Sequence, residues 1–230
     1  MKAVILAGGY GKRLRPLTTE KPKPLIEINK KPILAIQFEW LKNYGINEVI
    51  LCVGFLKEKI IEYVGNGKRF GLKVGYAVEE DPLGTGGALL NSELLLKGED
   101  RFVVLNGDVI TDLDLSKLIY NCNKIGAIAL VPLRSPYGVI MMNDKDEITE
   151  FKEKPILKDF WINAGVYCLN HTIFKYLPEK GDIEATTFPK LAEEKKLRAV
   201  KYTTCFWRAI DVQKDIEEAE KDLSIRKSKT

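Results

Sequence analysis

Several features that point to particular classes of protein are scarce in this sequence. Its 230 residues include four cysteines, which stand singly with no C-x-x-C pair, and a single histidine, His171. This spacing argues against a cysteine-based zinc site and a disulfide framework, and it favours reduced, packed thiols. We assign His171 no role, because a lone histidine is more often a surface or half-packed residue than a ligand.

Long apolar runs are missing, and neither sign of charge dominates. No run approaches the roughly 20 residues that span a bilayer, and the apolar run after Met1-Lys2 is too short for a signal peptide. We therefore expect a cytoplasmic protein with no membrane segment. The net charge of +4 is small for this length, and nucleic-acid binders usually carry a denser basic stripe, so we expect no nucleic-acid partner.

Branched apolar runs alternate with helical patterns through the first half of the chain. The runs predict buried strands at residues 2–7, 48–53, 72–78, 101–106 and 127–132. The patterns between them predict helices at residues 32–45, 57–64, 88–96 and 115–123. Alternation of this kind implies a parallel sheet with both faces covered.

The second half of the chain has a different pattern. Residues 139–142 and 148–151 flank a polar turn and predict an antiparallel hairpin. Further strands are predicted at 163–169 and 199–202, further helices at 184–194 and 212–223, and a frayed tail after Ile225. With no linker or internal repeat in sight, we expect one domain over residues 1–230, an α/β, Rossmann-like three-layer sandwich around a mixed, mainly parallel sheet.

The most informative segment is a glycine-rich, cationic loop directly after the first predicted strand. It reads LAGGYGKRLRPLT and is followed by KPKPL, with five cations and one acid between Gly8 and Pro24. Backbone at Gly8, Gly9 and Gly11 approaches a phosphate closely, and the cations neutralise charge that builds in a transition state. The alternatives are a dinucleotide-binding loop and a plain solvated turn. Against the first, Leu14 stands where that motif needs its third glycine. The loop predicts polyphosphate binding.

Two more candidate site segments follow predicted strands. The stretch EEDPLGTGGA, which begins at Glu79, has glycines that permit close approach to a flat ring. The stretch VVLNGD ends in Asp108 at the carboxyl end of its strand, where the active sites of open sheets gather. The alternatives are a helix-entry loop with acids near a positive helix end and a turn-forming aspartate.

The run GGYGKRL followed by PKPL resembles the signature of the sugar nucleotidyltransferase family, whose fold is GT-A-like, and the resemblance covers nearly the whole chain. We expect a short form without the repeat domain that often follows in the family. The resemblance implies that Arg13 bridges the phosphates and the leaving pyrophosphate, and that Lys23 holds phosphate oxygens of both substrates. It also implies a set of nucleotide-binding residues, namely Leu6, Ala7, Gly8, Gly9, Gly11, Lys12, Glu79, Gly84 and Thr85. Lys12 replaces the commoner threonine, with little expected consequence.

The resemblance divides the chain into a nucleotide-binding half, about residues 1–125, and a sugar-binding half, about residues 126–225. It implies that the sugar phosphate is contacted by Asn106, Tyr137, Gly138, Glu153, Lys154 and Asn163. Glu153 would accept hydrogen bonds from sugar hydroxyls, and Lys154 would hold the phosphate.

The resemblance also implies magnesium as the cofactor. Asp108 matches the family's magnesium-binding aspartate, and one or two carboxylates with phosphate oxygens suffice for such a site. The family's second carboxylate stands in a W-x-D motif, but here the stretch is WRAID and Ala209 holds that position. Asp211 lies two residues further on, a spacing that returns a side chain to the same face of an extended chain. We predict Asp211 as the second ligand; the alternative is that it caps the final helix.

The implied reaction is an in-line attack of a sugar 1-phosphate on the α-phosphorus of a nucleoside triphosphate, which yields a nucleotide sugar and pyrophosphate with no covalent intermediate. An ionised Glu79 only accepts hydrogen bonds, which suits the adjacent donors of guanine. The run from Glu79 to Gly87 also resembles that of guanylyltransferases acting on mannose 1-phosphate or a manno-heptose 1-phosphate. This resemblance implies GTP with one of these two sugars as the substrates. Uridylyl or thymidylyl transfer to glucose 1-phosphate or an amino-sugar 1-phosphate is an alternative, and a homo-oligomer stays open.

Two other classes of function are weighed against this enzyme. The sequence Asp112-Leu113-Asp114 is a D-x-D that would suit a glycosyltransferase of related topology, but such enzymes lack the Arg13 and Lys23 loop. A catalytically inactive, nucleotidyltransferase-like regulatory subunit is disfavoured by the intact cations and Asp108.

Overall fold

The computed structural model describes residues 1–227 and places a seven-stranded sheet at the centre of the fold. In chain order the strands are β1 (Ala3–Leu6), β2 (Glu27–Ile28), β3 (Lys31–Pro32), β4 (Glu48–Val53), β5 (Lys73–Val78), β6 (Arg101–Asn106), β7 (Val109–Thr111), β8 (Gly126–Arg134), β9 (Val139–Met142), β10 (Ile148–Lys152), β11 (Ile156–Asn170), β12 (Leu197–Lys201) and β13 (Trp207–Ala209). The helices are α1 (Ile33–Asn43), α2 (Lys57–Val64), α3 (Gly84–Asn91), α4 (Leu115–Tyr120), α5 (Ile183–Glu193) and α6 (Gln213–Lys227).

The central sheet has the order β12-β8-β11-β6-β1-β4-β5. Strands β6, β1, β4 and β5 run parallel to one another, and β12 runs parallel to β8. Strand β11 is antiparallel to both of its neighbours, β6 and β8. The sheet is therefore mixed and mainly parallel, which confirms the predicted fold class.

Helices cover both faces of this sheet, because successive apolar side chains of each strand point to opposite faces. On β1, Ala3 and Ile5 join one buried cluster with α1, α2 and α4, whereas Val4 joins a second cluster with α3 and α5. Continuous apolar runs are typical of strands buried on both faces. The result is the expected three-layer arrangement.

A third, smaller cluster lies beside the sheet and fastens its peripheral parts together. It joins Leu14 of the cationic loop, Ile28 of β2, Ile110 of β7 and Ile216 of α6. Strand β7 pairs antiparallel with β13. This pairing brings the stretch that ends in Asp211 next to the carboxyl end of β6.

Most predicted elements are found at or within a few residues of their predicted bounds. There are two exceptions. Strand β11 begins at Ile156 rather than at Asn163, because its first residues pair with the end of β8. Helix α3 begins at Gly84 rather than at Ala88, with a short 3-10 helix at Glu93–Leu96 after it. The predicted fraying after Ile225 is wrong for the first residues, since α6 continues to Lys227. The remainder of that predicted tail, residues 228–230, lies outside the described part of the chain.

The hairpin and the side chains with no assigned role follow the predictions. Strands β9 and β10 pair antiparallel in a two-stranded sheet of their own. All four cysteines carry free thiols, and three are buried. His171 begins a short 3-10 helix. Across the described residues, none of the helices combines the length and the apolar character needed to cross a membrane.

Candidate functional site

A cavity of about 380 Å³ lies at the carboxyl ends of β1 and β6, beside the segment that follows β5. Open sheets bind their ligands in this position. The cavity is lined by every residue predicted for nucleotide, catalysis or metal, namely Leu6, Ala7, Gly8, Gly9, Gly11, Lys12, Arg13, Lys23, Glu79, Gly84, Thr85, Asp108 and Asp211. Of the predicted sugar residues, Asn106 lines it. Sequence reasoning missed the other lining residues, which are Tyr10, Pro24, Pro82, Ala88, Gly107 and Asp182.

The cationic loop is held by buried anchors placed between its charges. Leu14 is buried in the third cluster, while its neighbours Arg13 and Arg15 are exposed. Gly11 has a φ of +59°, and the buried Thr18 donates through Oγ1 to the Gly11 carbonyl at 2.8 Å. A Cβ at position 11 would lie 3.0 Å from Thr18 Cγ2, so glycine suits this position on both counts. The loop backbone is thereby fixed with its cations beside the cavity.

Two glycines allow close packing at the floor of the cavity. A Cβ on Gly8 would lie 2.9 Å from Glu79 Oε1, and one on Gly107 would lie 2.6 Å from the Leu6 carbonyl oxygen. Gly107 N donates to that same carbonyl at 2.9 Å. Gly107 therefore allows the ends of β1 and β6 to meet, and it delivers Asp108 to the cavity.

Lys23 lies between two carboxylates. Its Nζ is 2.6 Å from Asp108 Oδ2 and 2.8 Å from Asp211 Oδ1, and Arg13 Nη2 is 2.8 Å from the same Asp211 oxygen. The Lys23 side chain is 13% exposed and the Arg13 side chain 71% exposed. The partly buried ammonium group offsets the repulsion between the two carboxylates, and the exposed guanidinium group is accessible from solvent.

Asp211 does not cap the last helix, contrary to the alternative considered for it. Helix α6 begins at Gln213, and Asp215 Oδ2 accepts from Asp211 N at 2.7 Å and from Val212 N at 2.8 Å. Asp215 thus holds the two residues that precede α6, and the Asp211 side chain accepts from Arg13 and Lys23 instead. This leaves the Asp211 carboxylate directed at Lys23 and Arg13.

Asp108 and Asp211 form a donor set that suits magnesium. This ion usually takes one or two carboxylates and completes its shell with phosphate oxygens and water. Among residues 1–227 there is no group of three or more His, Cys, Asp and Glu side chains placed to hold a metal. Any magnesium held here would draw its remaining ligands from substrate and solvent.

Glu79 is a buried carboxylate at the far side of the cavity. Its Oε2 accepts from Leu83 N at 3.1 Å, and its backbone N–H donates to the Val53 carbonyl at 2.8 Å. Burial raises the pKa of the Glu79 carboxyl, and the hydrogen bond from Leu83 opposes part of that rise. A buried acceptor is thus built into the wall that follows β5.

The glycines of α3 serve a contact that the sequence did not reveal. A Cβ on Gly84 would lie 2.7 Å from the Gly181 carbonyl oxygen, and one on Gly87 would lie 2.5 Å from that of Glu179. Gly86 N donates to Gly181 O at 2.9 Å. Gly84 lines the cavity as predicted, but Gly86 and Gly87 allow close packing of α3 against residues 178–181.

The other predicted sugar residues lie outside the cavity lining. Tyr137, Gly138, Glu153 and Lys154 flank the β9–β10 hairpin, and Asn163 lies on β11. Glu153 and Lys154 are exposed and form an ion pair at 3.5 Å. The structure therefore brings the nucleotide and metal residues together and places most of the sugar residues on neighbouring surface.

Both aspartates of the D-x-D motif form hydrogen bonds within the protein, away from the cavity. Asp112 Oδ1 accepts from Phe206 N at 2.6 Å, and its other oxygen contacts Arg226. Asp114 caps α4 by accepting from Ser116 N at 3.0 Å and Lys117 N at 3.3 Å. Neither aspartate lines the cavity, so the motif is structural and gives a glycosyltransferase no support.

Comparison with known proteins gives a match over nearly the whole chain. The sequence profile of the family described as Nucleotidyl transferase matches residues 2–224. A D-glycero-alpha-D-manno-heptose 1-phosphate guanylyltransferase of Campylobacter jejuni is 40% identical over 203 residues, which is 86% of this chain and 89% of that protein. The mannose-1-phosphate guanylyltransferase catalytic subunit beta of Danio rerio is 40% identical over 225 residues, which is 94% of this chain and 62% of that subunit. This chain thus spans under two thirds of the fish subunit's length.

A similar solved structure is that of HddC from Yersinia pseudotuberculosis. It superposes with a TM-score of 0.77 at 28% identity and covers 96% of this chain and 99% of HddC. A second structure of HddC, complexed with GMP-PN, superposes equally well.

The raised pKa of Glu79 predicts a pH dependence of stability. The folded chain holds this proton more tightly than the unfolded chain, so wild-type stability falls as the pH rises from the unfolded pKa, near 4.5, through the folded pKa. Glu79→Gln removes this loss. We expect the variant's free energy of unfolding in urea to rise relative to wild type between about pH 4 and 7. Asp81→Asn, at an exposed neighbouring carboxylate, is the control, and a pH-independent difference for Glu79→Gln would contradict the prediction.

Proposed function

The chain belongs to the nucleotidyl transferase family, and from that premise we propose that it is a sugar-1-phosphate guanylyltransferase. The substrates are GTP and mannose 1-phosphate or a manno-heptose 1-phosphate, and the products are the GDP-sugar and pyrophosphate. The observation that carries the proposal is the cluster of Arg13, Lys23, Asp108 and Asp211 beside a glycine-lined cavity. Relatives named guanylyltransferases, at 40% identity, support the choice of GTP.

The triphosphate is bound by the loop after β1. Backbone at Gly8, Gly9 and Gly11 lines the cavity without side chains, so N–H groups approach phosphate oxygens closely. Lys12 and Arg13 add positive charge at the exposed side of this loop. Arg13 exchanges its partner Asp211 for phosphate oxygens when the triphosphate enters.

The reaction is an in-line displacement supported by charge and position. A phosphate oxygen of the sugar phosphate attacks the α-phosphorus, and the bond from that phosphorus to the bridging oxygen of pyrophosphate breaks. Lys23 holds oxygens of the two reacting phosphates, and Arg13 stabilises the negative charge on the departing pyrophosphate. With the substrates aligned, no serine or cysteine nucleophile is needed.

Asp108 and Asp211 would hold magnesium together with phosphate oxygens. When bound, the ion would supply charge neutralisation at the reacting phosphates. Lys23 keeps both carboxylates in place through its two hydrogen bonds. Asp211 would thus serve as the second metal ligand. It lies two residues after Ala209, which stands where the family has its carboxylate.

Guanine is read by Glu79. An ionised carboxylate accepts two hydrogen bonds, and guanine presents adjacent N–H donors on one edge, whereas uracil and thymine present a single N–H between two carbonyls. Gly84 and Thr85 form the neighbouring wall. On the sugar side, Asn106 at the end of β6 leads toward Asn163 and the hairpin flanks, where Glu153 and Lys154 contact the sugar phosphate.

A panel of substrates tests the proposal as a whole. Pyrophosphate release is measured for GTP, UTP, dTTP and ATP, each with mannose 1-phosphate, a manno-heptose 1-phosphate and glucose 1-phosphate. We expect GTP with one of the two manno-configured sugars to exceed every other pair by at least about tenfold. A tenfold preference for UTP or dTTP with glucose 1-phosphate would refute the assignment to guanine. A folded chain that binds GTP but releases no pyrophosphate would instead be a regulatory subunit.

The two cations of the loop are expected to dominate turnover. Arg13→Ala and Lys23→Ala should each lower kcat by about a hundredfold or more, because each removes a charge contact that strengthens in the transition state. Arg15→Ala is the matched control, since Arg15 is an exposed cation of the same loop outside the cavity lining. Circular dichroism checks that each variant is folded. Near-normal kcat in either cavity variant would remove the main support of the mechanism.

The two carboxylates are expected to set the magnesium requirement. Asp108→Asn and Asp211→Asn should each raise the magnesium concentration for half-maximal activity by about tenfold or more, since each removes a charged ligand. Asp112→Asn, in the D-x-D outside the cavity, should leave it unchanged. If Asp211→Asn kept the wild-type requirement while Asp108→Asn lost all activity, Asp211 would serve only as the partner of Arg13 and Lys23.

A further inference from the structure

A chain of side-chain hydrogen bonds runs behind the cavity from the nucleotide half to the sugar half. Thr85 Oγ1 donates to Glu184 Oε2 at 2.6 Å, and Tyr167 Oη donates to Glu184 Oε1 at 3.0 Å. Asn163 Nδ2 in turn donates to Tyr167 Oη at 2.8 Å. Glu184 lies in the first turn of α5, and Tyr167 is fully buried on β11. Neither residue lines the cavity.

The direction of these hydrogen bonds is fixed at Glu184. Thr85 Oγ1 already accepts from Ile183 N at 2.9 Å, and Tyr167 Oη already accepts from Asn163. Each hydroxyl has one proton, and each gives it to a different oxygen of Glu184. Both oxygens must therefore accept, which a carboxylate does and a glutamine amide does not.

The two ends of this series of hydrogen bonds are residues predicted to contact substrate. Thr85 lines the cavity beside Gly84. At the other end, Asn163 Oδ1 accepts from Gly165 N at 2.9 Å, so both atoms of the Asn163 amide have fixed partners and its orientation is set. Gly165 has a φ of +66°, and a Cβ there would lie 2.8 Å from Nδ2 of Asn106, which also lines the cavity.

The backbone around Glu184 is bound to α3 at several points. Thr85 N donates to Asp182 Oδ1 at 3.1 Å, Gly86 N donates to Gly181 O at 2.9 Å, and Gly181 N donates to Leu83 O at 2.7 Å. The segment at 181–184 and the beginning of α3 therefore form one hydrogen-bonded unit. Thr85 and Glu184 are therefore held in fixed positions relative to each other.

We infer that Glu184 is a positioning residue that joins the base side of the cavity to the sugar half, and that it sets the orientation of Asn163 through Tyr167. The inference rests on the proposed function, because it takes Thr85 as a nucleotide contact and Asn163 as a sugar contact. Glu184 and Tyr167 act through these two residues and touch neither substrate.

Two conservative variants test the inference. Tyr167→Phe keeps the buried ring and cuts the link to Asn163; it should raise KM for the sugar phosphate about tenfold and leave KM for GTP within twofold. Glu184→Gln weakens the hydrogen bonds from both Thr85 and Tyr167, so it should raise KM for GTP and KM for the sugar phosphate. Tyr202→Phe is the matched control, because this buried tyrosine donates to Asp114 O at 2.7 Å, outside the cavity lining, and neither KM should change.

The double variant and a binding measurement complete the test. If the two residues act through the same series of hydrogen bonds, the double variant should have the same KM for the sugar phosphate as Glu184→Gln alone. Calorimetric titration with mannose 1-phosphate should show affinity about tenfold weaker in Tyr167→Phe than in wild type. Unchanged KM values in Tyr167→Phe, independent effects in the double variant, or a lowered Tm with normal KM values would overturn the inference. Wild-type protein that releases no pyrophosphate with any substrate pair would instead overturn the proposed function.

Discussion

The site depends on one ammonium group held between two carboxylates. Lys23 comes from the loop after β1, Asp108 from the end of β6, and Asp211 from the stretch between β13 and α6, so the cluster joins three distant parts of the sequence. Two carboxylates this close repel each other, at about 4 kcal/mol for unit charges 4 Å apart near a protein surface, unless a cation lies between them. Lys23 supplies this cation. The three side chains therefore hold one another in place through their own contacts.

The second constraint is close approach of backbone to backbone. Helix α3 meets residues 178–181 so tightly that its glycines leave no room for a Cβ, and its first N–H groups donate to Gly181 and Asp182. The beginning of a helix is often an anion site, but here these donors already have partners. Under the proposed function, phosphate binding falls instead to the glycine loop after β1. The two glycine-rich segments would then have different roles because of this packing.

The parts that the sequence predicted well are those set by local pattern. Strands β4 and β6 were predicted with their observed bounds, because each apolar run begins at a charged residue and ends at Gly54 or Asn106. The motifs after β1, β5 and β6 converge on the cavity. The start of α3 was not predicted, because its glycines pack against residues 178–181, which are distant in sequence. Asp182 and Glu184 were missed for the same reason, as only the fold brings them to Thr85. The sugar contacts at the hairpin stay predictions.

The β9–β10 hairpin has consequences for how such a protein diversifies. It forms a sheet of its own, its residues are exposed or half-exposed, and none belongs to a buried cluster. Substitutions at exposed positions usually change stability by only about 0.5 kcal/mol. Under the proposed function this segment flanks the sugar, whereas the polyphosphate machinery is fixed to the core. Under that function, substitutions in the hairpin would change which sugar is accepted while leaving the residues of the cavity unchanged.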